Sequence, residues 1–186
     1  MRENKIVLDL ETQKSFDEVG GRKMHLLGVS VVGVYSYFND KYTTFEEKEM
    51  PELEKILKSV GLIIGFSIKR FDLPVLEPYL SIPIYSLPTL DIMKEIVRVT
   101  GHRVSLNSVA QATLGETKSG SGLEAIRFFR EGKIGKLKRY CLDDVRITRE
   151  IYEHGLRYRE ISFISKYNRS KHSIPVSWSI SSRFQK

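Results

Sequence analysis

Strand-like and helix-like segments are segregated along this chain, and that segregation limits the architectures open to it more than any other feature. Residues 5–10 form a short β-branched and leucine-rich run, the pattern of a buried strand. Residues 26–38 are rich in Val, Tyr and Phe, and Asn39-Asp40 before Tyr42-Thr43-Thr44-Phe45 marks a hairpin. Three consecutive antiparallel strands follow from this. Pro51 opens a helix to Ser59, with Leu53, Ile56, Leu57 and Val60 as its buried stripe, and Gly61 ends it. Residues 62–66 are another buried strand, after which Pro74 and Pro78 allow only short pieces. From Thr89 the pattern turns helical, over residues 90–99, 106–114, 123–130 and 134–158. Strands first and helices afterwards predict an α/β fold: a mixed sheet with antiparallel first strands and flanking helices. The end, residues 163–178, reads as a hairpin or an extended arm.

A chain of 186 residues with 41% hydrophobic content buries a full core as one domain. The single cysteine, Cys141, excludes an intramolecular disulfide and any site of several cysteine ligands. No apolar run reaches the roughly 20 residues of a membrane span, and residues 6–8 are too short for a secretory signal. The expected location is cytoplasmic, with no membrane partner. Of the formal net charge of +7, residues 155–186 carry +6, from seven Lys or Arg against Glu160 alone. This divides the chain into a main domain, residues 1–160, and a basic C-terminal extension, 161–186, packed on it or free. Such a tail suits a polyanion, because phosphates attract Lys and Arg regardless of sequence.

The acids carry the chemistry. Asp9 and Glu11 stand two apart at the end of the first strand, so their side chains leave one face of the sheet. Two carboxylates there repel unless a cation neutralises them, and hard oxygen ligands suit magnesium or manganese. Asp72 follows the strand of residues 62–66, where Phe71 can anchor a turn and aim the carboxylate inward; the alternative is a helix N-cap. On the last helix Tyr140 and Asp144 are four apart and share a face. At roughly 100° per residue, Asp144 lies about 60° from the centre of the stripe made by Ile134, Leu137, Cys141, Val145 and Tyr152, while Asp143 points almost opposite. A carboxylate flanking a buried stripe needs a partner, so Asp144 takes the metal role and Asp143 stays in water.

These pieces resemble the exonucleases whose three motifs are Asp-x-Glu, Asn-x3-Phe/Tyr-Asp and Tyr-x3-Asp, the tyrosine (DEDDy) subclass in the ribonuclease-H-like superfamily. The matching residues are Asp9-Leu10-Glu11, Ser67 with Phe71-Asp72, and Tyr140 with Asp144, in the same order and separation. Ser105-Leu106-Asn107-Ser108-Val109-Ala110, Leu114-Gly115 and Lys118 also look like predicted exonucleases related to the proofreading domain of family B DNA polymerases. The resemblance implies a metal-dependent 3′→5′ exonuclease acting on single-stranded 3′ ends of nucleic acid with two divalent cations, Mg2+ or Mn2+. It implies that Asp9 bridges both ions, that Glu11 and Asp144 complete one shell, and that Asp72 holds the second ion, directly or through water. Tyr140, with an unperturbed pKa near ~10, orients the attacking water. The sequence departs from the pattern at Ser67, where Asn is expected; serine keeps a hydrogen-bonding group with shorter reach. The histidine subclass has its histidine five residues before the last acid, where Arg139 stands.

Two other function classes compete. A nucleic-acid-binding module with the same fold and no catalysis is separated from a nuclease by a metal-dependent hydrolysis assay. A P-loop built on residues 115–122 lacks the first glycine at the required spacing, which leaves Lys118 as a phosphate contact. Ser67, Lys118, Arg169 and Lys171 are the expected nucleic-acid contacts, and Trp178 and Tyr167 are candidates for stacking on unpaired bases.

Overall fold

The computed structural model describes residues 4–117 and 120–178. In chain order its elements are β1 (Lys5–Thr12), β2 (Val29–Ser36), β3 (Lys41–Glu46), α1 (Met50–Ser59), β4 (Leu62–Gly65), α2 (Asp72–Leu76), β5 (Thr89–Asp91), α3 (Ile92–Thr100), α4 (Leu106–Leu114), α5 (Gly122–Arg130), α6 (Ile134–Tyr158), β6 (Glu160–Ile164) and β7 (Lys171–Pro175), with short 3₁₀ turns between some of them. The chain divides into two compact units, Met1–Ile92 with Ser119–Arg146, and Met93–Lys118 with Ile147–Lys186.

The first unit holds a five-stranded sheet in the order β3-β2-β1-β4-β5. β1, β2 and β3 pair antiparallel, β2 and β3 through the short hairpin at residues 37–40, and β1–β4 and β4–β5 pair parallel. The mixed α/β sheet is the expected one. The period of two along β1 sends Ile6, Leu8 and Leu10 to one face. There they join Val32, Val34 and Ile63, Leu53 and Leu57 of α1, and Leu73 and Leu76 of α2 in the main core. Asp9 and Glu11 leave by the opposite face. That face carries a smaller apolar cluster of Val31, Ala125 of α5, and Leu137, Tyr140 and Cys141 of α6.

One boundary differs from the periodicity. Leu90 and Asp91, expected at the start of a helix, belong to β5, where Leu90 pairs with Ile64 and Asp91 with Gly65. A three-residue strand is too short to display a period of its own, and the pairing edge of β4 decides its conformation.

In the second unit α4 packs on the β6–β7 hairpin. Ser105 caps α4 by accepting Ser108 N–H at 3.1 Å. Two hydroxyls of α4 then serve the edge of β6: Thr113 exchanges hydrogen bonds with the Ser162 backbone at 2.8 and 2.9 Å, and Ser108 with the Ile164 backbone at 2.7 and 2.9 Å. An edge strand whose backbone groups are satisfied by a helix no longer offers a free template. Trp178, a candidate for base stacking, is buried and stacked on Tyr152 with ring centroids 5.5 Å apart. Its indole is core, whereas Tyr167 is exposed. Among the described residues no helix is long and apolar enough to cross a membrane.

Candidate metal centre

Gly33 sets how closely α6 approaches β1. It pairs with Asp9 across the β1–β2 ladder, and a Cβ on it would stand 2.9 Å from both Cys141 Sγ and Val145 Cγ2. Only a glycine leaves that space, and α6 fills it. The Cys141 thiol donates weakly to the Asp9 carbonyl at 3.6 Å. A break in register between Glu11 and Thr12 ends the regular pairing directly after the second acid, the kind of irregularity that re-aims side chains. The outcome is that Asp9, Glu11 and Asp144 each offer a carboxylate oxygen, all within 4.8 Å of one another. Glu11 and Asp144 are buried and Asp9 is half-buried.

Asp72 stands beside this group. It is the first residue of α2, preceded by Phe71 at the cap position, so it does not act as the cap. Phe71 packs against the main core and meets Phe16 edge-on at 6.0 Å. Asp72 Oδ1 accepts the Leu10 N–H at 3.1 Å, beyond the stretch where β1 pairs with β4. Burial, with Asp91 and Asp144 nearby, pushes its carboxyl up to about 8. The neighbouring Cys141 thiol is pushed well above its ordinary value, first by burial and then by the charges of Asp9, Glu11 and Asp144. Both shifts have one physical origin, a concentration of carboxylates with little water around it. A divalent cation removes that cost, and an all-oxygen donor set suits a hard ion.

Tyr140 lies one turn before Asp144 and is buried against Val31, Ala125, Leu137 and Cys141. Its ring edge also borders Gly120 and an open groove of about 710 Å³. Tyr42, Phe128 and Leu142 give the groove its apolar surface, and Lys136, Arg139 and Arg146 its positive charge, against Glu124 and Asp143. Arg146 is held by Asp143 at 2.9 Å and Glu124 by Arg127 at 3.4 Å, while Lys136 and Arg139 are exposed. Asp143, expected in water, is thus a half-buried ion-pair partner.

Ser67 sits in the turn after β4 with φ +68°, its N–H bonded to Asp91 Oδ1 at 3.0 Å. Lys118 lies outside the described residues. Arg169 and Lys171 are exposed in the second unit. Sequence reasoning overlooked Gly33, Asp91, Tyr42 and Phe128. A glycine inside the Val31-Val32-Gly33-Val34 run was a usable sign of close backbone approach, and Asp91 was an acid inside an apolar stretch.

No protein among the curated ones compared matches this chain. A family described as the RNase_H superfamily matches residues 6–155. Among solved structures, the chain is similar to the family B DNA polymerase from the hyperthermophilic archaeon Pyrobaculum calidifontis, with 19% sequence identity and a TM-score of 0.65. The match covers 84% of this chain and 25% of the polymerase. The likeness is one of fold, and the chain spans about a quarter of the length of that polymerase.

Proposed function

Since the chain belongs to the RNase_H superfamily, we propose that it is a metal-dependent 3′→5′ exonuclease whose carboxylates Asp9, Glu11, Asp72 and Asp144 hold two divalent cations, Mg2+ or Mn2+. The observation that carries this reading is the convergence of Asp9 and Glu11 from β1 with Asp144 from α6. Bound there, divalent cations polarise a phosphate oxygen and acidify a water for in-line attack. The residues do the rest. Asp72, fixed on the Leu10 N–H, brings a fourth carboxylate to the edge of the group. Tyr140, one turn before Asp144, orients the attacking water through its hydroxyl.

The substrate is nucleic acid, entering as an unpaired strand with its 3′ end at the carboxylates. The likeness to a DNA polymerase supports this class of substrate, and the 3′→5′ polarity is what the resemblance to the tyrosine-subclass exonucleases implies, not a property of these residues themselves. Lys136 and Arg139 along the groove meet backbone phosphates, and the faces of Tyr42 and Phe128 receive bases. Ser67, Lys118, Arg169 and Lys171 are further proposed contacts.

The test incubates the purified protein with end-labelled DNA and RNA oligonucleotides and follows the product ladder in Mg2+, Mn2+ or chelator. Stepwise shortening from the 3′ end, present with metal and lost in chelator and in Asp144→Ala, is the expected result. Binding without hydrolysis would make the chain a non-catalytic nucleic-acid module.

A further inference from the structure

Asp91, the last residue of β5, is buried, and backbone donors engage both oxygens of its carboxylate. Ser67 N–H donates to Oδ1 at 3.0 Å and Lys69 N–H to Oδ2 at 3.1 Å. Parallel pairing of Asp91 with Gly65 sets this carboxylate at the mouth of the turn that leaves β4. The turn is tight. Arg70 and Phe71 N–H both donate to the Ser67 carbonyl, at 3.0 and 3.1 Å, and Leu73 N–H donates to the Ile68 carbonyl at 2.9 Å. Ser67 takes φ +68°, a left-handed conformation that glycine, and less often Asn or Asp, adopts without penalty. A serine stays there only where its surroundings fix it, and the two bonds to Asp91 lie at Ser67 itself and two residues on. Five residues after Ser67 the same turn delivers Asp72, whose carboxylate accepts the Leu10 N–H.

We propose that Asp91 is a positioning residue for the metal centre: its carboxylate clamps the backbone of residues 67–69 in the left-handed turn that sets Asp72 against β1, without itself touching metal or substrate. The proposal rests on the reading of Asp72 as a metal ligand. Asp91 and Asp72 are close enough for their charges to repel, so an amide at position 91 would relieve the site electrostatically. An amide, however, offers one acceptor oxygen where the turn presents two N–H donors. The carboxylate is what both donors require.

Asp91→Asn is the direct test, read by Mn2+ titration with electron paramagnetic resonance and by Mg2+-dependent hydrolysis. The expected loss is about 10- to 100-fold in Mn2+ affinity or in kcat, as for other residues that orient metal ligands, with KM little changed. In a Ser67→Gly background the same Asp91→Asn substitution should cost several-fold less, because glycine holds the left-handed turn without help. A purely structural role would lower the melting temperature alike in both backgrounds and leave the metal affinity of the folded variant unaltered. Amide hydrogen exchange in the unsubstituted protein needs no variant: Ser67 and Lys69 should exchange as slowly as the amides of β1. The clamp is overturned by unchanged Mn2+ affinity and kcat in folded Asp91→Asn, by equal losses in the two backgrounds, or by fast exchange at Ser67 and Lys69. An unsubstituted protein that binds no Mn2+ and hydrolyses no oligonucleotide would refute the nuclease reading instead, and hydrogen exchange would still decide whether the clamp exists.

Discussion

Gly33→Ala tests whether the spacing between β1 and α6 governs the centre. The added Cβ would lie 2.9 Å from Cys141 Sγ and from Val145 Cγ2, about 0.6 Å inside the ~3.5 Å at which carbon contacts become favourable. Cys141 has one torsion to adjust, and Val145, being β-branched, is stiff. The strain therefore passes to the helix. Overpacking of this kind costs about 1–3 kcal/mol, readable as a shift in the urea midpoint. The functional effect should be larger. Asp144 sits between the two clashing residues in sequence and Asp9 pairs with Gly33, so the displacement falls on the spacing of the carboxylate group. Metal ligands tolerate about 0.2 Å, and misplacement near 1 Å costs up to about 100-fold in rate. The prediction is a 10- to 100-fold fall in Mg2+-dependent kcat in a protein that remains folded, partly restored by adding Cys141→Ala. Near-normal turnover in Gly33→Ala, or no recovery in the double variant, would refute this account of the spacing.

Asp72 makes the metal-free protein sensitive to pH. Its folded pKa of about 8 exceeds the unfolded value of about 3.9, so between these values the native state binds the extra proton and stability falls as pH rises. In chelator, Asp72→Asn should gain on the unsubstituted protein by up to about 1.4 kcal/mol per pH unit across that window; equal urea midpoints at pH 5 and pH 8 for both proteins would contradict it. Tyr140→Phe keeps the ring in its cluster and deletes the hydroxyl, so turnover should fall substantially with oligonucleotide affinity nearly unchanged; a proportional loss of binding would make Tyr140 a substrate contact. Lys136→Gln with Arg139→Gln should make the salt dependence of single-strand binding shallower by about 0.7 for each phosphate no longer neutralised, and the same measurement on Arg169→Gln with Lys171→Gln assigns or removes the basic C-terminal segment from the nucleic-acid path. A folded double variant with an unchanged slope excludes its pair.

What the sequence determined by itself is what short-range periodicity encodes. A strand repeats every two residues, so Asp9 and Glu11 had to share a face; a helix repeats every 3.6, so Tyr140 and Asp144 had to stack, with Asp144 turned further inward than Asp143. The long last helix, with the bounds of residues 134–158, and the antiparallel start of the sheet were legible for the same reason. The tertiary structure alone decided where distant segments meet. β5 exists because β4 offers it a pairing edge. Trp178 is core because Tyr152 lies beneath it, a pairing of rings from well-separated parts of the chain that composition does not record. Gly33 and Asp91 stand out locally, one as a glycine in a valine run and the other as an acid in an apolar stretch, but their partners do not: the first matters through the helix it admits, the second through two amides more than twenty residues earlier in the chain. Local pattern fixes which face a side chain takes, while the distance between two faces is set by what packs between them, and that distance is the quantity on which a carboxylate centre depends.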